Sequence, residues 1–194
     1  MKFYPAKINA RFRSPQNAGK AQGANAAGTS ASFECGSFVQ ISLAIENDTK
    51  LIKQAKFQTN GCGYMIAAAD ATAEMLSGMK LVDLHGLELN EYGRLLEGVL
   101  EKFPPAREQC AELVHSALKN ALADYRAYVI EEFIGEKPLI CTCFGVSEET
   151  IEAYIEENSP VTVDTVTQTC RAGSGCGSCR MLIQEMIDSR ASED

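Results

Sequence analysis

The sequence predicts an α+β protein in which a small antiparallel sheet with helices packed on it is followed by a small, mostly helical second domain. Three observations predict this. Two runs of period-two alternation flank a short polar turn. Alanine- and leucine-rich segments with helical spacing follow them. After a glycine- and proline-containing break the chain changes character, with two close-set cysteine pairs framing a helical stretch. With 194 residues, 45% of them hydrophobic, the chain can bury a real core, so its 8 cysteines are not needed as staples for the whole.

Residues 1–32 read as an extended basic arm. Lys2, Lys7, Arg11, Arg13 and Lys20 all precede the first acidic residue, Glu34, although the formal net charge of the chain is −8. Residues 14–32 are small, polar and without periodicity, which suits either a solvated tail or a docking segment for an acidic partner. The polar opening has no apolar h-region, which places the protein in a reducing cytoplasm and makes disulfides the minor reading of the cysteines. No stretch is apolar enough to cross a bilayer, and the acidic body is unlike a duplex-binding surface, so neither membrane nor nucleic acid is expected as a partner.

A first folded domain is expected over 33–133. In "FVQISLAI", Val39, Ile41, Leu43 and Ile45 alternate with smaller or polar residues, as in a half-buried strand. "ENDT" is a turn, and "LIKQAKFQT" resumes with Ala55, Phe57 and Thr59 on one side, completing a hairpin. Cys35 falls just before the hairpin and Cys62 just after it. "YMIAAADATAEML" consists of good helix formers and ends near Gly78. "NEYGRLLEGVLEK" is a second helix, with Leu95, Leu96 and Val99 expected on its buried face. A long third helix begins at the prolines of "PPAREQC". Cys110 lies in its first turns, where the helix dipole favours a thiolate. His85 and His115 are poor ligand candidates, the latter because five residues of helix turn it away from Cys110.

Residues 134–139 read as a linker, and 140–194 as a second domain too short to rely on an apolar core alone, a size often stapled by a metal. Cys141 and Cys143 form a CxC pair, and Cys176 and Cys179 form a CxxC pair about thirty residues later. Between them "VSEETIEAYIEEN" is a helix with Ser147 as N-cap, Glu148 and Glu149 at its positive end, and Ile151, Tyr154 and Ile155 buried. "RMLIQEMIDS" is another helix, with Leu182, Ile183, Met186 and Ile187 spaced for burial. Two thiol pairs on loops are what a four-thiolate metal centre requires, and Gly173, Gly175 and Gly177 allow tight turns and close approach of backbone N–H groups to sulfur. Zinc also takes four cysteines. Its sites usually draw on two CxxC knuckles, so the CxC pair favours iron–sulfur without excluding zinc. Cys170 is surplus to a four-sulfur set and reads as a small packing residue.

"ICTCFGVSEETI" and "VTQTCRAGSGCGSC" resemble the small [2Fe–2S] domain of the bacterioferritin-associated ferredoxin type, which is also the central domain of NifU proteins. The resemblance implies that Cys141, Cys143, Cys176 and Cys179 ligate a stable [2Fe–2S] cluster. "RSPQNAG", "ECGSFVQISLAI", "AKFQTNGCGYMIAAADATAEML", "FPPAREQCAEL" and "ALADYRAY" resemble the IscU-like scaffold domain that precedes it in NifU, and Cys35, Cys62 and Cys110 fall on the three scaffold cysteines. The family's usual third domain, with its own CxxC, is expected to be absent. The resemblance implies an iron–sulfur cluster assembly scaffold rather than an enzyme, linked in NifU to nitrogen fixation. It would build a transient cluster from iron and sulfur supplied with a cysteine desulfurase, and deliver it to apo iron–sulfur proteins.

Three thiolates leave one coordination position open, which suits a site that loads and releases, and a homodimer would help to complete it. Scaffolds of this family carry an aspartate two residues after the first cysteine and a histidine before the third; this chain has Ser37 and Gln109 there, poorer iron ligands. "FPPAR", Phe103 to Arg107, replaces the Leu-Pro-Pro stretch that chaperones recognise in IscU. The alternative reading is a ferredoxin-like electron-transfer or sensing protein, working with an electron donor or acceptor, whose first domain only docks. No phosphate loop and no Ser/His/Asp set points to hydrolytic or group-transfer catalysis.

Overall fold

The computed structural model describes residues 4–84, 87–132, 138–158 and 161–191. Most of the linker expected over 134–139 lies outside the described residues, as does His85. The chain divides into two compact units, Met1–Met79 with Gly86–Tyr125, and Lys80–His85 with Arg126–Asp194.

In the first unit, helix α1 (Ala6–Arg13) precedes strands β1 (Ala26–Ala31), β2 (Phe38–Ile45) and β3 (Ile52–Thr59), followed by helices α2 (Gly63–Leu76), α3 (Leu89–Val99) and, as far as Tyr125, α4 (Glu108–Glu132). The strands form one antiparallel sheet in the order β1-β2-β3. The expected hairpin is β2–β3, with Ile41 opposite Phe57 and Leu43 opposite Ala55. Val39, Ile41, Leu43 and Ile45 are all buried, as their alternation requires. Helix α2 packs against β3 and α1. Its alanines at 67, 68, 69, 71 and 73 are 0% exposed, and their small side chains let neighbouring backbones come close.

Residues 4–32, the described part of the expected arm, are not extended. Ile8 of α1 is 0% exposed, and β1 is the third strand of the sheet, with Gly28 opposite Ile41. "AAGTSA" has no apolar alternation because the space beside it is taken. A Cβ at Gly28 would lie 2.1 Å from the backbone nitrogen of Ala121 in α4. Between α1 and β1 the chain is tied to the body by single contacts. The Gly19 N–H donates to Phe57 O at 2.7 Å and the Ala21 N–H to Ser42 Oγ at 2.9 Å.

Asp70 of α2, wholly buried, holds this segment down. It accepts from Arg11 Nη1 at 2.7 Å and from the Gln16 and Asn17 N–H groups at 2.8 Å each. Arg11 also pairs with Glu74 at 2.5 Å. The basic charge of the leading segment is therefore partly spent inside the fold, where a buried carboxylate demands it.

Helix α3 also differs from expectation. Leu96 is buried, but Leu95 and Val99 are 44% and 38% exposed. The buried line is Tyr92, Leu96 and Leu100, spaced at i, i+4, i+8, and it wins because the Tyr92 hydroxyl has a partner inside, Thr72 Oγ1 at 2.7 Å.

In the second unit, strands β4 (Leu139–Cys141) and β5 (Val146–Ser147) pair antiparallel, and helices α5 (Glu148–Glu157), α6 (Val163–Cys170) and α7 (Arg180–Ala191) follow. Ser147 caps α5, accepting from the Thr150 N–H at 3.3 Å. Helix α6 is not among the predicted elements; a reciprocal capping box between Thr162 and Thr165 starts it despite its β-branched residues. Ile151, Ile155, Val166, Ala172 and Ile183 form the core with the buried cysteines, Met186 and Ile187 are half-buried against it, and Leu182, expected inside, is 48% exposed. Among the described residues no helix is long and apolar enough to cross a membrane.

Replacing Asp70 by Ala strands the Gln16 and Asn17 N–H groups and leaves Arg11 without its buried partner. Denaturant unfolding should show the first unit destabilised by about 3 kcal/mol. A loss under about 0.5 kcal/mol, the range of an exposed pair, would contradict the role given to this carboxylate.

Candidate metal centres

The structure brings Cys35, Cys62 and Cys110 to one hollow of about 160 Å³, lined also by Ser37, Asn60, Gly61, Met65, Arg107 and Gln109. Each thiol arrives differently. Cys35 sits on a tight loop between β1 and β2, in which the Ser32 N–H donates to Ser37 O at 2.8 Å and the Gly36 N–H to Ser32 O at 2.9 Å, with Gly36 at φ +67°. Asn60 staples this loop to the end of β3. Its Oδ1 accepts from the Phe38 N–H at 2.8 Å and its Nδ2 donates to Gly36 O at 3.2 Å. Cys62 is the N-cap residue of α2, and its side chain makes no cap hydrogen bond. Cys110 is the third residue of α4.

The thiols form a gradient from mouth to floor. Cys35 is exposed, Cys62 half-buried and Cys110 buried, with the Cys62 and Cys110 sulfurs 3.8 Å apart. Ser37 Oγ lies 2.9 Å from Cys35 Sγ, and hydrogen bonds first from Ser37 and then from Ser32 hold the Cys35 thiol below its ordinary value. At Cys110 the sign expected from the helix dipole is reversed. Burial first, and the neighbouring Cys62 second, push this thiol up to about 12, while Arg107 pulls the other way.

Ser37 and Gln109, at the positions of the resembled family's aspartate and histidine, line the hollow, and among the described residues no carboxylate or imidazole joins them. His115 is elsewhere. It stacks on Tyr92 with ring centroids 5.0 Å apart, and its Nε2 lies 3.0 Å from Leu87 O. Asn60 and Arg107 escaped the sequence reading. Arg107 is visible in "FPPAR" only as a charge three residues before a cysteine, and Asn60 only as a strand-end residue.

In the second unit Cys141, Cys143, Cys176 and Cys179 line a hollow of about 130 Å³ together with Ile140, Gly175 and Leu182. The four thiols perturb one another: Cys141 is lowered, chiefly by Cys143 and then Cys179, and Cys176 is lowered to about 5, chiefly by Cys143, while Cys143 and Cys179 are raised in return. Ser178 Oγ lies 3.3 Å from Cys176 Sγ.

The glycines of this loop act in two ways. Gly173 and Gly177 take positive φ, +86° and +76°. Gly175 instead makes room, since a Cβ there would fall 2.7 Å from Cys143 Cβ and 3.0 Å from its sulfur. Cys170 lies outside the hollow and donates to Val166 O of its own helix at 3.1 Å. Among the described residues no three His, Cys, Asp or Glu side chains stand ready-made around a single ion. In both units the thiols ring a hollow instead.

Residues 3–132 match the NifU-like N terminal domain, and residues 139–189 match the BFD-like [2Fe-2S] binding domain. The nitrogen fixation protein NifU of Azotobacter chroococcum is 32% identical over 184 residues, 95% of this chain and 58% of that protein. The NifU of Trichormus azollae is 30% identical, with 95% of this chain and 63% of that protein covered. The chain thus spans about three fifths of the length of these relatives. The iron-sulfur cluster assembly scaffold protein IscU of Haemophilus influenzae is 29% identical over 127 residues, 64% of this chain and 96% of its own. In structure, a nitrogen-fixing NifU-like protein (N-terminal) from Brucella abortus covers 64% of this chain and 94% of its own with a TM-score of 0.51 at 16% identity, a likeness of fold. The second unit is of the [2Fe–2S]-binding type, the iron–sulfur side of the choice that thiol spacing left open.

The first hollow's chemistry is testable without metal. Alkylation followed by peptide mass spectrometry should modify Cys35 fastest and Cys110 slowest at neutral pH. Ser37→Ala should raise the Cys35 pKa, so its alkylation slows at neutral pH and matches the parent chain once pH exceeds the ordinary thiol value. Equal rates at all pH values would contradict the Ser37 contact.

Proposed function

Because the chain belongs to the family of the NifU-like N-terminal domain, we propose that it is an iron–sulfur cluster scaffold and carrier, not an enzyme, in which Cys35, Cys62 and Cys110 hold iron and sulfide in transit while Cys141, Cys143, Cys176 and Cys179 hold a permanent [2Fe–2S] group. The observation that supports it best is the graded three-thiol hollow, with Cys62 and Cys110 paired at its floor and Cys35 exposed at its mouth.

The four-thiol hollow fits its group by donor chemistry and by room. All its ligating side chains are soft sulfurs, and Gly175 leaves the space beside Cys143 that any Cβ would take. When bound, the [2Fe–2S] group supplies one-electron exchange. The residues around it keep water and side-chain bulk away: Cys141, Cys143 and Cys179 are buried, and Ile140 and Leu182 wall the hollow.

In the three-thiol hollow the cluster is cargo. Iron displaces the thiol protons as it binds, which is hardest at Cys110, where burial holds the proton. Cys35, whose neighbours already favour the thiolate, is the entry point. With Ser37 and Gln109 in place of stronger ligands the fourth position stays weakly held, which favours release. A cysteine desulfurase as sulfur source, apo iron–sulfur proteins as recipients, an electron donor, and a second copy of the chain as a source of the missing ligand belong to the same reading. Ser37 and Gln109 also favour one alternative, a ferredoxin-like protein whose first unit docks without assembling clusters.

Anaerobic reconstitution with iron, sulfide and a desulfurase decides between them. The parent chain should bind more iron than a Cys35→Ala, Cys62→Ala, Cys110→Ala triple variant and pass the difference to an apo-ferredoxin. Equal iron in both would leave the docking alternative standing.

A further inference from the structure

Tyr4 touches the Cys62 loop at a point that the proposed chemistry does not use. Cys62 leaves the first-turn amides of α2 without a side-chain cap, and such amides need acceptors. The Gly63 N–H finds one in Tyr4, donating to its hydroxyl at 3.2 Å across 59 residues of chain. The ring lies flat against the same glycine. A Cβ at Gly63 would sit 2.6 Å from Tyr4 Cζ and 2.7 Å from Cε2, so the tyrosine requires the second glycine of "GCG".

Tyr4 is also one link in a chain of aromatic contacts. Its ring meets Phe12 and Tyr64 at centroid distances of 5.3 Å each, and Tyr64 meets Phe103, again at 5.3 Å. Phe103 begins the stretch that leads into α4 and Cys110. One stack thus joins the leading segment, the helix behind Cys62 and the approach to Cys110, whose sulfurs are 3.8 Å apart.

We propose that Tyr4 is a positioning residue of the three-thiol hollow. Its hydroxyl satisfies the Gly63 amide, and its ring fixes the loop on which Cys62 stands, so that the Cys62 sulfur is held facing that of Cys110. The metal consequence rests on the scaffold reading; the placement of the Cys62 sulfur does not.

The test uses the full chain. Tyr4→Phe keeps the ring stack and removes only the acceptor, and Tyr4→Ala removes both. In the metal-free chain, Tyr4→Phe should raise amide exchange at Gly63 about fivefold, the loss of one ordinary hydrogen bond. It should also change the alkylation rate of Cys62 while that of Cys35 stays as in the parent and the unfolding midpoint falls by no more than the loss of one hydrogen bond. Gly63→Ala should perturb Cys62 in the parent chain and have no further effect in Tyr4→Ala, where the ring it strikes is gone. Unchanged Gly63 exchange and Cys62 alkylation in both Tyr4 variants would overturn the proposal. So would a Gly63→Ala effect of equal size with and without the ring.

After iron and sulfide loading, Tyr4→Phe should alter the visible circular dichroism that depends on Cys62 and leave the second unit's bands alone. If the parent chain shows no Cys62-dependent iron at all, the scaffold reading falls, and the metal-free measurements still decide for or against Tyr4.

Discussion

Two helix N-termini meeting behind a pair of sulfurs set what the first unit can do. Cys62 stands at the start of α2 and Cys110 in the first turn of α4, far apart in sequence and 3.8 Å apart in space. Everything that fixes those two ends serves the hollow. Gly28 lets α4 approach the sheet, Asp70 ties the leading segment across α2, and the aromatic stack runs from that segment to Phe103. Positive helix ends lie beside both sulfurs, an arrangement that favours anions even where burial opposes them.

The balance between those forces decides each thiol separately. A helix terminus contributes on the order of 0.3–1 kcal/mol, whereas burial shifts an ionisable group by as much as several pKa units. Cys110, buried beside a second thiol, therefore keeps its proton despite its place in the helix, and Cys35, on an exposed loop with hydroxyl partners, gives its proton up more readily. The second unit solves a different problem. Its four thiols line one small hollow, three of them buried.

Residues that announce themselves by period or spacing were legible in the sequence. The β2–β3 hairpin follows from alternation, α2 from its alanines, α5 from Ser147, and both thiol sets from their cysteines. What was hidden depended on partners distant in the chain. "AAGTSA" looks like arm because the side chains of a strand pressed on by α4 must be small, and "VDTVTQTC" looks unhelical because its β-branched residues outweigh a capping box in any propensity count. Leu95 and Leu182 were assigned inward by spacing, but helix faces are chosen by what lies opposite, and Tyr92 and Ile183 had the better partners. Tyr4 carried no local signal at all; only the glycine it covers marked it, inside a motif whose cysteine drew the attention.

The central claim is that thiols from distant segments converge on iron, permanently in the second unit and in transit in the first. Anomalous diffraction from crystals of the anaerobically loaded chain, recorded at the iron and zinc edges, tests it most directly. Iron density is expected between Cys141, Cys143, Cys176 and Cys179 in every preparation, with further iron among Cys35, Cys62 and Cys110 only after loading. Zinc alone among the four thiols, or loaded iron that avoids the first hollow, would contradict it.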